Sequence, residues 1–177
     1  MREILLAVFA VVCFSPAAAG QSNYAGEETR AIKSLSSSQI ESLRRGDGMG
    51  FAKLAELNHY PGPKHVLEIA EQLGLNPSKI AETTKLYEEM RSNAIAIGEE
   101  LIEAESRLDH AFESGSVTPT ALATALLEVG ELRARLRYVH LEAHLRQKAL
   151  LSPEQVKKYD ALRGYTGAGH DYSRHRE

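Results

Sequence analysis

The sequence predicts an all-α protein built on one long antiparallel helical hairpin, with short helices flanking it. Three observations lead to that reading. Apolar and small residues recur at alternating steps of three and four over two long stretches, from Ile80 to Ala111 and again from Leu122 to Ala143. The stretches are joined by Ser114-Gly115-Ser116, which stops a helix, and Thr118-Pro119, which starts one. No segment shows the period-two alternation of a half-buried strand.

The first residues read as a targeting segment rather than as fold. Met1-Arg2 is a short basic start, Ile4 to Phe14 is apolar, and Ser15-Pro16-Ala17-Ala18-Ala19 offers small residues for cleavage. Residues 1–19 are therefore expected to be a secretory signal peptide, cut after Ala19. The apolar run is too short to span a bilayer, and no later stretch approaches the roughly 20 residues a span needs. Val12 stands before Cys13 where a lipid-attachment site would carry a small residue, so an anchor is not expected. Cleavage would remove the chain's one cysteine, and with it disulfides, thiol redox chemistry and thiolate metal sites. About 158 residues would remain, enough for one domain. The formal charge of −3 argues against nucleic acid as a partner. Zero tryptophans and four phenylalanines argue against a large aromatic ligand pocket.

Residues 20–63 read as an N-terminal extension. Ser38 to Arg45 and Phe51 to Leu57 suit brief helices separated by Gly46-Asp47-Gly48, and Asn58-His59-Tyr60-Pro61-Gly62-Pro63 suits a proline-stiffened turn. Residues 64–164 hold the hairpin domain. Lys64 to Leu73 predicts a helix ending at Gly74; Asn76 caps and Pro77 opens a helix running to Glu113. Gly98 interrupts that helix at a cost of roughly 1 kcal/mol against alanine. The return helix runs from Pro119 to Ala149, with Leu122, Leu126, Val129, Leu136 and Ala143 on its seam. Ser152 caps a terminal helix with Pro153 at its first position and Glu154 favouring its dipole; it ends near Arg163, with Gly164 just beyond. The polar tail, residues 165–177, is expected to be disordered. A lone hairpin leaves apolar faces uncovered; the short helices cover part, and a homodimer would cover more.

One pattern recurs. Leu151-Ser152-Pro153-Glu154-Gln155 is repeated by Leu35-Ser36-Ser37-Ser38-Gln39, and Leu75-Asn76-Pro77-Ser78-Lys79 is a degraded copy. As local chemistry these are helix starts. As a set, with the export signal and the long hairpin, they resemble the Spy/CpxP family of periplasmic LTxxQ-motif chaperones and the related periplasmic heavy-metal sensors. The resemblance covers roughly Leu67 to Arg163. It implies a bent hairpin pairing into a cradle-shaped homodimer in the periplasm. It further implies ATP-independent binding of unfolded or envelope-stress client proteins, or partnership with a membrane-bound stress regulator. The alternative it implies is a sensor or buffer of zinc, copper, nickel or cobalt.

The candidate metal ligands begin with His140 and His144, which four-residue spacing places on one helical face, close enough to share an ion. Two ligands make an incomplete site. Equal rise along both helices sets His140 level with Asn93 and His144 level with Glu89, so Glu89, Met90 and Asn93 are conceivable partners, although level does not fix azimuth. The related sensors carry a His-x-x-x-Met or similar pair just upstream of the last motif, where His140 and His144 sit. They also use paired histidines in the first core helix, and here His65 stands alone. His170 and His175 in the tail could hold zinc or copper loosely. Arg133, Arg135, Arg137, Arg146 and Lys148 gather on the return helix, opposite Glu99, Glu100, Glu103 and Glu105. They are either solvated faces or, with Arg133, Arg137, Arg146 and Lys148 in contact, an adaptable client-binding surface. No phosphate loop, nucleophile elbow or His-Glu-x-x-His pattern occurs, so no catalytic residue and no enzyme activity is expected. No cofactor is required; a divalent transition metal is the one candidate.

Overall fold

The computed structural model describes residues 22–165. The expected signal peptide, Cys13, His170, His175 and all of the tail beyond Tyr165 lie outside the described residues. The described chain is all helical, as expected: a 3-10 turn at Glu27–Thr29, then α1 (Ser37–Arg45), α2 (Lys53–Glu56), α3 (Pro63–Glu68), α4 (Pro77–Glu113), α5 (Pro119–Leu150) and α6 (Pro153–Arg163).

Each recurrent Leu-Ser motif starts a helix by the same device. Ser36 and Ser152 accept a hydrogen bond from the backbone N–H of Gln39 and Gln155, whose side chains accept in return from the serine N–H. The preceding Leu35 and Leu151 are buried, in the same clusters as Ile40 and Val156 four positions into each helix. The degraded copy behaves as half a motif: Asn76 caps Lys79 N–H, and Leu75 is buried. Lys79 Nζ then donates to Gln155 Oε1 at 2.9 Å, so two of these helix starts hold one another.

The two short helices before the hairpin are shorter than the sequence suggests. Phe51 and Ala52 belong to the turn that leaves the Gly46–Gly50 loop, so α2 spans only Lys53–Glu56. Residues Ile69–Gly74 form successive turns rather than the end of α3, and Leu73 and Leu75 drop their side chains into the cluster with Val66 and Tyr159. Tertiary burial outweighs helix propensity there.

The seam of α4 is wider than one heptad stripe. Leu86, Gly98, Ile102 and Glu105 are buried beside the expected Thr83, Met90, Ala94, Ile97, Leu101 and Ala104. α1 and α3 pack on α4 beside α5, and Ser34 and Arg133 close over Glu105, so α4 is covered from more than one side. Gly98 is where α1 and α4 meet: a Cβ built there lies 2.8 Å from the Leu43 carbonyl oxygen. The residue that reads as an interruption is a crossing point. On α5 the buried positions are Val129, Leu132, Leu136, His140, Ala143 and Gln147, while the expected Leu126 is 51% exposed. The hairpin is thus apolar through its middle and polar towards its open end, where Gln147 Nε2 donates to Thr83 Oγ1 at 3.2 Å within the core.

These contacts separate two glycines that look alike in sequence. Gly98→Ala is expected to destabilise by about 1–3 kcal/mol, because the added methyl meets backbone rather than a movable side chain. Gly130→Ala, exposed on α5 with open space around it, is expected to stabilise by about 1 kcal/mol. Urea unfolding of both variants checks the pair, and equal shifts of one sign would contradict the crossing.

Candidate metal-binding cavity

A cavity of about 590 Å³ opens between α5, α4 and the segment running from Gly46 to His65. His140, Ala143 and His144 line it from α5, and Tyr87 and Met90 line it from α4. The Gly46–Gly50 loop, Glu56 of α2 and the Gly62–His65 stretch close it. Three glycines in the loop let the chain turn sharply; Gly46 and Gly50 hold φ of 69° and 80°, and Met49 between them holds a left-handed φ of 42°.

His140 occupies a seam position and is only 4% exposed. Phe51 stacks on its ring at 5.9 Å between centroids, nearly parallel at 12°. Its Nε2 is buried and has no hydrogen-bond partner. Burial, and secondarily the neighbouring His144, push its pKa down from 6.5 to about 4, against a smaller opposing pull from Asp47. The ring is therefore neutral near pH 7.

His144 sits one turn further on, and its ring is oriented from outside the helix. Nδ1 donates to the Tyr60 carbonyl at 2.7 Å, with Glu56 Oε2 at 3.6 Å on the same side. That donation leaves the lone pair on Nε2. Burial lowers its pKa despite the upward pull of the Tyr60 carbonyl and Glu56. Gly62 keeps Nε2 uncovered: a Cβ at that position would lie 2.8 Å from Cε1 and 2.9 Å from Nε2 of His144.

Glu56 is anchored from α6. Its Oε1 accepts from the hydroxyl of the fully buried Tyr159 and from Tyr165 at 3.2 Å, with Arg163 Nε at 3.8 Å. Burial, and then the Glu56 carboxylate, raise the Tyr159 pKa far above its ordinary range, so the phenol stays a donor. Asp160 of α6 meets His59 Nδ1 at 2.8 Å, tying the same helix to the turn that carries Tyr60.

Among the sequence candidates, the structure brings His140, His144, Met90 and His65 to this cavity. His65 is held at Nδ1 by Glu68 at 2.9 Å, on its own helix. Glu89 and Asn93 are level with the histidines but do not line the cavity. Glu89 pairs with Arg146 at 2.9 Å, and Asn93 is exposed. Each helical residue turns about 100° from the last, so Glu89 and Met90, adjacent in sequence, face different ways.

The basic residues of α5 are largely engaged. Arg133 pairs with the buried Glu105 at 2.6 Å, Arg135 with Glu100 at 3.0 Å, and Lys148 lies 3.7 Å above the Tyr60 ring. Arg137 and Lys148 are the two of that group that make no ion pair among the described residues. Arg133, Arg135 and Arg146 thus form bridges between α5 and α4, the first of the two arrangements the sequence left open for this face.

No three of His, Cys, Asp and Glu gather as a metal cluster among the described residues. The unengaged donor atoms lining the cavity are Nε2 of His140, buried without a partner, Nε2 of His144 beside Gly62, Oε2 of Glu56, also buried without a partner, and the Met90 thioether. Sequence reasoning missed Glu56, Tyr60 and Gly62, which orient and expose His144. The Gly-x-Gly-x-Gly and Pro-Gly-Pro punctuation was the only signal that close backbone approach occurs there. Comparison with protein-family models, with curated proteins and with solved structures gave no match for this chain.

The neutral state of His140 has a thermodynamic consequence. Its folded pKa lies below its unfolded value, so between pH 6.5 and about 4 the unfolded chain binds the proton first. Stability is full above pH 6.5 and falls as the pH drops through that window, by up to about 3 kcal/mol for this group. His140→Leu is expected to flatten the slope by about one proton, read from denaturation midpoints across the window. A wild-type and variant slope that coincide would mean the ring is not buried as a neutral group.

Proposed function

We propose that this chain binds a transition-metal ion through His140 and His144, as an exported sensor or buffer of the kind its motifs resemble. The observation that carries the reading is the pair of Nε2 atoms. One is buried without a partner, and the other is left open by a glycine and oriented by an outer carbonyl and carboxylate. Neutral imidazoles are the protonation state that ligates. A metal ion bound there would supply a positive charge between two turns of α5. The chain's residues supply the orientation: Tyr60 and Glu56 fix the His144 tautomer, Phe51 fixes the plane of His140, and α6 holds Glu56 in place.

Calorimetry with zinc, copper, nickel and cobalt tests the reading, in a chain carrying His170→Ala and His175→Ala so that the tail does not compete. Wild-type sequence at the cavity is expected to bind at least one of these ions, and His140→Ala with His144→Ala to abolish it. Gly62→Ala, whose backbone φ of −85° suits alanine, is expected to weaken binding by covering Nε2. Equal affinity in all three proteins would remove the histidine pair from consideration.

A second reading keeps the chaperone expectation. Leu127, Tyr138 and Leu145 of α5 are 76%, 65% and 57% exposed, and Ala134 and Leu141 complete a stripe with them at steps of seven, four, three and four. An apolar stripe on a hairpin suits weak contacts with unfolded clients, with a regulator at the membrane, or with a second copy in a homodimer. Light scattering from an aggregating client tests the first. Suppression should fall when Leu127, Tyr138 and Leu145 are changed to serine, and no suppression by the unaltered chain at stoichiometric excess would sink it.

A further inference from the structure

The charged side chains of α5 divide by face. Glu128, Arg133, Arg135 and Arg146 bridge to Arg107, Glu105, Glu100 and Glu89 of α4. Glu131, Arg137, Glu142 and Lys148 make no ion pair among the described residues, and Lys148 is turned onto the Tyr60 ring. These four are not scattered. A rotation of about 100° per residue sets Arg137 and Lys148 along one edge of the exposed apolar stripe, and Glu131 and Glu142 along the other. Ala123 and Ala149, both exposed, lie on the same stripe, four residues before Leu127 and four after Leu145. The outer face of α5 is thus an apolar band from Ala123 to Ala149 with a basic border and an acidic one.

We propose that this face is the seam of a parallel two-fold homodimer, in which α5 of one copy lies along α5 of a second and Arg137 of each bridges Glu142 of the other. The proposal rests on the apolar stripe of the second reading above and is independent of the metal site. Apolar area alone would suit a client, a regulator or a second copy; the ordering of charge selects among them. Where two helices lie side by side and parallel, opposite edges meet, so a basic border faces an acidic one. In an antiparallel pair each edge meets its own kind, and Arg137 and Lys148 would face the same two cations across the seam. Arg137 precedes Glu142 by five residues, the offset at which border charges of parallel helices come together, and a two-fold axis makes the bridge twice. Each exposed bridge adds little affinity; the stripe supplies that, and the bridges fix direction. A client held without fixed direction needs no such sorting of charge.

Sedimentation equilibrium of the purified chain carrying Cys13→Ser should give the mass of two copies. Arg137→Glu alone and Glu142→Arg alone each set like charges across both borders, and each should raise the dimer dissociation constant about tenfold or more. Mixing the two variants restores opposite charges at both bridges, so the mixture should dimerise with about the wild-type constant, which also shows that each variant is folded. Leu127→Cys reads the direction: on mild oxidation it should crosslink to its own counterpart, because a parallel two-fold sets each position against itself. An antiparallel pair centred on the stripe would set Leu127 near Leu145 instead. A monomer at every concentration overturns the dimer, and if that monomer suppresses client aggregation through the same stripe, the client reading takes its place. A dimer that Arg137→Glu leaves unchanged or strengthens, a mixture no tighter than either variant, or a failure of Leu127→Cys to crosslink overturns the parallel arrangement.

Discussion

The carboxylate of Glu56 is the joint on which the open end of the hairpin depends. A buried carboxylate is costly unless its lone pairs are met, and here one oxygen collects two tyrosine hydroxyls and lies near a guanidinium, all from α6 and the residues just after it. The other oxygen, Oε2, is buried without a hydrogen-bond partner and lies 3.6 Å from Nδ1 of His144 on α5. Two segments distant in sequence are thereby held to a short helix of four residues that has little stability of its own. Tyr159, with no exposed surface, brings the apolar cluster of α3 and α6 to the same point. Removing the carboxylate would release the phenols, the His144 orientation and the seating of α6 together.

Close backbone approach is the second constraint. Gly46 and Gly98 bring α1 against α4: a Cβ at Gly46 would lie 2.9 Å from the Arg91 carbonyl, and one at Gly98 would lie 2.8 Å from that of Leu43. This crossing fixes where α1 ends, and therefore where the glycine loop begins and how it roofs the cavity. At the other wall, Gly62 lets the Tyr60–Pro63 turn lie flat on the His144 ring. The cavity exists because three glycines allow chain to come nearer than side chains permit. Its chemistry exists because two histidines occupy places that an apolar seam would otherwise fill.

Placing His140 in the seam costs stability that a leucine would supply, since its Nε2 has lost water and gained no partner. Gln147, two seam positions further along the same face, meets Thr83 and leaves its own oxygen unpartnered. The buried polar side chains His140, Gln147 and Thr83 lie towards the open end, while around Leu101, Leu132 and Leu136 the seam is apolar except for Glu105, which Arg133 and Ser34 engage. Apolar packing and the polar cavity are thus divided along the length of one pair of helices. The uncovered stripe from Leu127 to Leu145 lies on a different face of α5 from both, so a partner seated there need not displace the cavity.

The two long helices, their caps and the turn between them were legible in the residues, because periodicity, capping serines and prolines act over a few positions and owe little to distant chain. The same holds for the Leu-Ser motifs, whose capping boxes are local. The pairing of His140 with His144 was legible too, through helical spacing alone. Which side chains join them was not. Equal rise offered Glu89, Met90 and Asn93 alike, and azimuth brought only Met90 of the three to the cavity. The width of the α4 seam, the purpose of Gly98, the neutralised arginines and the anchoring of His144 by Tyr60, Glu56 and Gly62 all arise between segments tens of residues apart. By itself, then, the sequence determined an all-α hairpin with two histidines on one face, since those properties depend on neighbours along the chain. Only the tertiary structure decided that His140 is buried with Nε2 unpartnered and that His144 is oriented through Nδ1 beside Gly62, because burial and orientation depend on what other segments bring to the same point in space.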